Sequence, residues 1–174
     1  MTGGTQALQS PISRMHILIA DSFFEFRQVL RMMLLREIGV ASVEEAKSGK
    51  QALAMLKEED FDLIIADTAM RPMGCIELTA LIRDGVAGID PTIPVIAVSG
   101  RPALGDILSA RDAGVNEYLA KPLSAKILEL RIRSVLEHPR PYIHNAAFIG
   151  PDRRRRTDAG FAGHDRRTHT VRAH

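Results

Sequence analysis

Cysteine is nearly absent. Cys75 is the single thiol in 174 residues. This excludes an internal disulfide and any metal site built from cysteine alone, and it agrees with a cytoplasmic protein. Long apolar runs are missing too; none approaches the roughly 20 residues a membrane span needs. Met1 to Arg14 is polar and small, without the apolar centre of a secretory leader. No internal repeat of the solenoid kind is present. Basic and aromatic residues do not interleave, and no helix-turn-helix pattern stands out, so sequence-specific DNA binding is not expected.

Positive charge is scarce over most of the chain. Residues 1–137 hold 15 Lys and Arg against 18 Asp and Glu, a net of −3, and residues 138–174 hold 8 Arg against 3 Asp, a net of +5. The overall +2 therefore combines an acidic body with a basic tail.

What is present begins with Phe61-Asp62-Leu63-Ile64-Ile65-Ala66-Asp67. Such a short apolar run, bounded by polar residues, reads as a strand buried on both faces. Other runs flank it. Met15 to Ala20 is a first strand closed by Asp21-Ser22, either of which can cap the next helix. That helix spans about Phe23 to Glu37, with Phe26, Val29, Leu30, Met33 and Leu34 as its buried face. Ala41 to Ala46 is a weaker second strand, followed by a helix over about Gly49 to Glu58. After Asp67 come a Met/Pro/Gly loop and a helix over about Ile76 to Arg83. Val95 to Val98 is a fourth strand ending in Ser99-Gly100, and its helix spans about Leu104 to Ala113. Val115 to Ala120 is a fifth strand ending in Lys121-Pro122, and its helix spans about Ser124 to Glu137. Five strand–helix repeats predict an α/β fold, a five-stranded parallel sheet, doubly wound, in a single domain over 15–137. Residues 1–14 read as a flexible lead. Past Glu137 the prolines, glycines and arginines break every period. Residues 138–174 read as an Arg-rich C-terminal extension, largely disordered: 138–149 as a strap whose Tyr142, Ile143, Phe148 and Ile149 can dock on the body, and 150–174 as mostly disordered.

The polar residues at the strand ends converge. Asp21, Asp67, Ser99 and Lys121 close strands one, three, four and five, so two carboxylates, a hydroxyl and an ammonium meet at one edge of the sheet. The set suits phosphoryl transfer to a carboxylate. Asp67 can be the nucleophile, Asp21 and Asp67 can hold Mg²⁺, and Lys121 and Ser99 can stabilise phosphoryl oxygens. A nucleotide- or flavin-binding enzyme of this topology would need a Gly-rich turn after strand one. Asp21-Ser22-Phe23-Phe24-Glu25 has no glycine, which argues against it.

Residues 15–137 resemble the receiver domain of bacterial response regulators, the CheY-like family. The matching pieces are Ile17-Leu18-Ile19-Ala20-Asp21, Asp62-Leu63-Ile64-Ile65-Ala66-Asp67, Pro94 to Gly100, and Tyr118-Leu119-Ala120-Lys121-Pro122. The resemblance implies a two-component, phosphorelay protein with Asp67 as phosphoacceptor and Ser99 as switch hydroxyl. It makes Lys121 the phosphoryl contact, Tyr118 the aromatic switch, and Lys121–Pro122 a cis peptide. It implies Mg²⁺ on Asp21, Asp67 and the backbone carbonyl of Ala69. Implied partners are a sensor histidine kinase or phosphotransfer protein and a downstream protein target, with a homodimer through the helix-four to helix-five face left open. The chain is then a regulator rather than an enzyme, limited to its own phosphorylation and dephosphorylation.

Three departures stand out. The family usually has two acids at the end of strand one, and Ala20 replaces the first. Losing a unit charge about 5 Å from a metal costs roughly 1–3 kcal/mol, which weakens Mg²⁺ binding. The loop after the phosphoacceptor usually reads Met-Pro-x-Met-Asp-Gly; Met70-Arg71-Pro72-Met73-Gly74-Cys75 displaces the proline and lacks the acid. Ala69 and Arg101 occupy positions that tune phosphoryl lifetime in the family. Ala20 and the loop motivate an alternative, a pseudo-receiver that binds partners without phosphate. Cys75 beside the site reads as a small residue at a helix start. The arginine run Arg153–Arg156 and its neighbours suggest a salt-sensitive contact with an acidic partner or with the body's acidic edge.

Overall fold

The computed structural model describes residues 10–86, 88–137, 141–145 and 148–152. Among these, strands and helices alternate as β1 (His16–Ala20), α1 (Phe24–Met32), β2 (Ser42–Ala46), α2 (Gly49–Glu58), β3 (Leu63–Asp67), α3 (Cys75–Arg83), β4 (Val95–Ser99), α4 (Leu104–Ala113), β5 (Glu117–Ala120) and α5 (Ala125–Glu137). The sheet order is β2-β1-β3-β4-β5, every pair parallel. This is the doubly wound sheet that the alternation predicts. Its order reverses between β1 and β3, the place where such sheets open a crevice.

Successive side chains of a strand face opposite ways. Leu18, Ala20, Ile64, Ala66, Val95 and Ala97 pack with Ala52, Leu56, Leu78, Ile82 and Ala110 from α2, α3 and α4. Ile17, Ile19, Leu63, Ile65, Ile96 and Val98 pack with Leu30, Leu34, Leu128 and Ile132 on the α1 and α5 side. β3 and β4 are buried throughout, so their sequences cannot alternate and instead read as unbroken apolar runs. Each fully buried aliphatic side chain contributes about 1.5–3 kcal/mol relative to exposure. That burial holds the strand ends, and hence the polar groups on them, in fixed register.

Four expectations need correction. First, the lead is not wholly flexible: Pro11–Arg14 forms a 3-10 turn with Ile12 buried among the α1-side core. Residues 1–9 lie outside the described residues. Second, α1 passes into a π-helical segment, Met33–Ile38, in which Leu34 O accepts from Gly39 N and Val40 N. Gly39 ends it at φ 80°, a conformation glycine adopts without a Cβ penalty. Of the expected face only Leu30 and Leu34 are buried, with Phe26 and Met33 half-buried; Val29 lies about 100° round the helix from Leu30 and is 41% exposed. Third, neither Ser22 nor Asp21 caps α1: its N-cap is Phe23, with no side-chain cap bond, and Asp21 Oδ1 accepts from Phe23 N itself at 2.8 Å. Fourth, the strap is partly ordered. β6 (Tyr142–Asn145) and β7 (Phe148–Pro151) pair antiparallel. Residues 153–174, including Arg153–Arg156, lie outside the described residues.

Candidate functional site

Asp21 directly follows β1, Asp67 and Ser99 end β3 and β4, and Lys121 directly follows β5. The parallel register carries all four to one edge of the sheet. Asp21 and Asp67 are 1% and 3% exposed, an expensive place for two carboxylates unless a cation joins them. Lys121 supplies it: Nζ lies 2.6 Å from Asp21 Oδ2 and 2.9 Å from Asp67 Oδ1. The remaining carboxylate oxygens are taken by backbone donors. Asp21 Oδ1 accepts from Phe23 N, and Asp67 Oδ2 accepts from Ala69 N at 2.8 Å. Every oxygen of the pair thus has a partner, and both side chains are locked.

Ser99 is buried, and its Oγ accepts from Arg101 N at 3.2 Å, leaving its own proton available. Asp67, Ser99, Lys121 and Ala69 line one cavity of about 660 Å³ with apolar walls from Phe23, Phe26 and Ile76. Arg101 and Asp106 line it as well. Tyr118 lies on β5 and packs against the core on the α3–α4 side, with its hydroxyl buried and without a hydrogen-bond partner among the described residues. The Lys121–Pro122 peptide is cis, and so is Arg71–Pro72 in the loop after Asp67.

Ala20 is buried in apolar company with Leu18, Ala46 and Ala66. Among the described residues no group of three or more His, Cys, Asp or Glu gathers as a metal site. The pair that does gather fits a hard divalent cation. One oxygen of each carboxylate already meets a single cation, the Lys121 ammonium, and the Ala69 carbonyl would add a third hard donor. Cys75 is not part of this chemistry: its thiol is fully buried, and burial pushes its pKa up to about 12, with Thr79 beside it.

The residues behind this geometry belong to a known pattern. The family model for the response regulator receiver domain matches residues 17–133. The chain belongs to the response regulator receiver domain family. The chemotaxis protein CheY of Pseudomonas aeruginosa is 34% identical over 123 residues, 71% of this chain and 97% of that protein. The chemotaxis protein CheY-3 of Vibrio cholerae is 35% identical over 123 residues, 71% of this chain and 92% of that protein. Among solved structures, the receiver domain of a Pseudomonas aeruginosa sensor histidine kinase is 27% identical with a TM-score of 0.61, covering 69% of this chain and 95% of that one. That structure has a magnesium ion coordinated in its active site cleft.

Two residues of this receiver's site escaped sequence reasoning. Arg27 donates from Nη1 to Asp21 O at 2.7 Å and from Nε to Glu45 Oε2 at 3.1 Å, pinning the backbone of Asp21 to β2. The ring of Phe26 lies 3.9 Å from Lys121 Nζ. The available signal was position: five and six residues past Asp21, both fall on the first turns of a helix that starts at the strand ends.

Proposed function

We propose that this receiver takes a phosphoryl group onto Asp67 from a phosphohistidine of a sensor histidine kinase or phosphotransfer protein, and signals by protein contact in the cytoplasm. The observation that carries the reading is the Lys121 ammonium bridging Asp21 Oδ2 at 2.6 Å and Asp67 Oδ1 at 2.9 Å, beneath an open cavity. An Asp67 carboxylate oxygen forms the new O–P bond while the N–P bond of the donor breaks, and the imidazole leaves and takes up a proton. Asp21, Asp67 and the Ala69 carbonyl would hold Mg²⁺, which when bound neutralises phosphoryl oxygens. Lys121 keeps a cation on Asp67 through the transfer. Ser99 donates its free hydroxyl proton to a phosphoryl oxygen, and the Tyr118 hydroxyl, buried without a hydrogen-bond partner among the described residues, makes a neighbouring side chain that gains by moving. The protein's own chemistry stops at gaining and losing this phosphoryl group; it is a regulator, not a turnover enzyme. A downstream protein, or a second copy, would meet the exposed Leu104 and Leu108 of α4 and Ile127 and Leu130 of α5.

The second reading, a phosphate-independent interaction module, is favoured by Ala20, which leaves two carboxylates where the family usually has three and so weakens Mg²⁺ binding. One experiment separates the two. Incubation with Mg²⁺ and acetyl phosphate should add the mass of one phosphoryl group, and the gain should vanish in Asp67→Asn and in chelator. An unchanged mass, with no binding of beryllofluoride, would transfer the assignment to the interaction module.

A further inference from the structure

Three groups share one ammonium. Lys121 Nζ meets Asp21 Oδ2, Asp67 Oδ1 and, 3.9 Å away, the ring centre of Phe26. A lysine ammonium is a compact, strongly hydrated charge with three donors. Here two carboxylates and an aromatic face take the place of water. A phenyl face attracts a cation within about 6 Å of its centre, more so where water is excluded. The ring cannot drift from the carboxylates, because the start of α1 is tied to Asp21 at two points. Phe23 N donates to Asp21 Oδ1, and Arg27 Nη1 donates to Asp21 O. Phe26 also packs against the core cluster of Leu30 and Leu34. With alanine at position 20, the ammonium faces two carboxylates only, so one lysine cancels half of the site's charge.

We propose that Phe26 is a positioning residue that holds Lys121 across both carboxylates, making Lys121 an internal counter-cation that a divalent ion must displace from Asp21. The inference rests on the reading of Asp21 and Asp67 as the metal-holding pair. It gives the site two lysine positions. In one, Lys121 bridges Asp21 and Asp67 over the Phe26 ring. In the other it serves Asp67 and the phosphoryl group and has left Asp21 free. Divalent-ion affinity is then set by this competition as well as by the missing third acid.

The test is Mg²⁺ titration calorimetry on the full chain. Phe26→Leu, which keeps an apolar side chain but loses the ring, should bind Mg²⁺ more tightly, on the order of fivefold. A ring-fluorinated phenylalanine at position 26, with the same shape and a weaker π face, should shift affinity in the same direction and guards against a folding defect. Phe26→Tyr should restore the original value. Lys121→Met should tighten binding further, and adding Phe26→Leu to it should change nothing, because the ring acts only through the lysine. Unchanged or weaker binding in Phe26→Leu, or an equal effect of Phe26→Leu with and without Lys121, would overturn the proposal while leaving the metal-holding pair intact. Absence of Mg²⁺ binding in every form, Lys121→Met included, would overturn both.

Discussion

Cys75 shows how place sets the chemistry of a side chain. It opens α3 after the loop that follows Asp67, where an exposed thiol would be open to oxidation. Its Sγ is instead fully buried, 3.9 Å from Thr79 Oγ1, and Thr79 Oγ1 donates to Cys75 O at 2.7 Å. Burial penalises the thiolate, so the pKa rises from 9.0 to about 12. The sign follows: the folded state keeps the proton that the unfolded chain releases, so this contribution to stability is complete below pH 9.0 and is lost as pH climbs from there towards about 12. Two outcomes are expected. Iodoacetamide at pH 8 should leave the native chain unmodified by intact mass and should add one group in urea. Cys75→Ala should flatten the fall in stability above pH 9.0 relative to the parent chain. Rapid alkylation of the native chain would mean that α3 opens far more readily than its packing allows.

At the scale of elements, the loop after Asp67 explains one departure from the family's pattern. A Cβ built on Gly74 would lie 2.5 Å from Thr68 O, and one on Gly49, at the start of α2, would lie 2.5 Å from Met73 O. Gly49 N also donates to Met73 O. The loop is therefore clamped at both ends by backbone against backbone, and Gly74 is a close-approach glycine with an ordinary negative φ. Restoring the family's acid at position 74 should harm rather than help. Gly74→Ala and Gly74→Asp should each lose about 1–3 kcal/mol in urea unfolding, as overpacked sites do, and should accept phosphoryl from acetyl phosphate more slowly. Equal stability of Gly74→Asp and the parent would show that the loop yields freely. None of this was legible in the sequence, which showed only a displaced proline and a missing acid. β3, β4 and the end of α4 were legible because unbroken apolar runs and a C-terminal glycine, Gly114, are local signals; the Ser48 cap of α2 emerged only in the structure. The four strand-end residues were legible for the same reason, since the polar residue closing each apolar run is visible in one dimension. The Phe26 contact was not, because an aromatic on a helix reads as core until the partner's position in space is known. The exposure of Val29 escaped notice too, since a three-and-four spacing does not say how wide the buried stripe is.

The molecule as a whole is closed at the end opposite the site. Arg83, 2% exposed, donates to Pro91 O and Gly114 O and to Asn116 Oδ1, which also accepts from Val95 N. These bonds tie the ends of α3 and α4 to the starts of β4 and β5, and burial lowers the pKa of the guanidinium. The C-terminal hairpin docks on this knot: the Tyr142 ring lies 5.3 Å from the Arg83 guanidinium, and Asn116 Nδ2 donates to Tyr142 Oη at 3.4 Å. A desolvated cation–π contact and one long hydrogen bond together amount to about 1–3 kcal/mol. Because the knot sits at the N-terminal ends of the strands, its loss should change stability without touching the carboxylates. Tyr142→Ala, and separately a chain ending at Glu137, should each unfold at lower urea by about that amount while still gaining one phosphoryl group from acetyl phosphate at the parent's rate. A larger loss on truncation than in Tyr142→Ala would assign the difference to hairpin residues beyond the ring. If both variants unfold at the same urea concentration as the full chain, the hairpin rests on the body without holding it. The Arg83 network then closes that end of the sheet unaided.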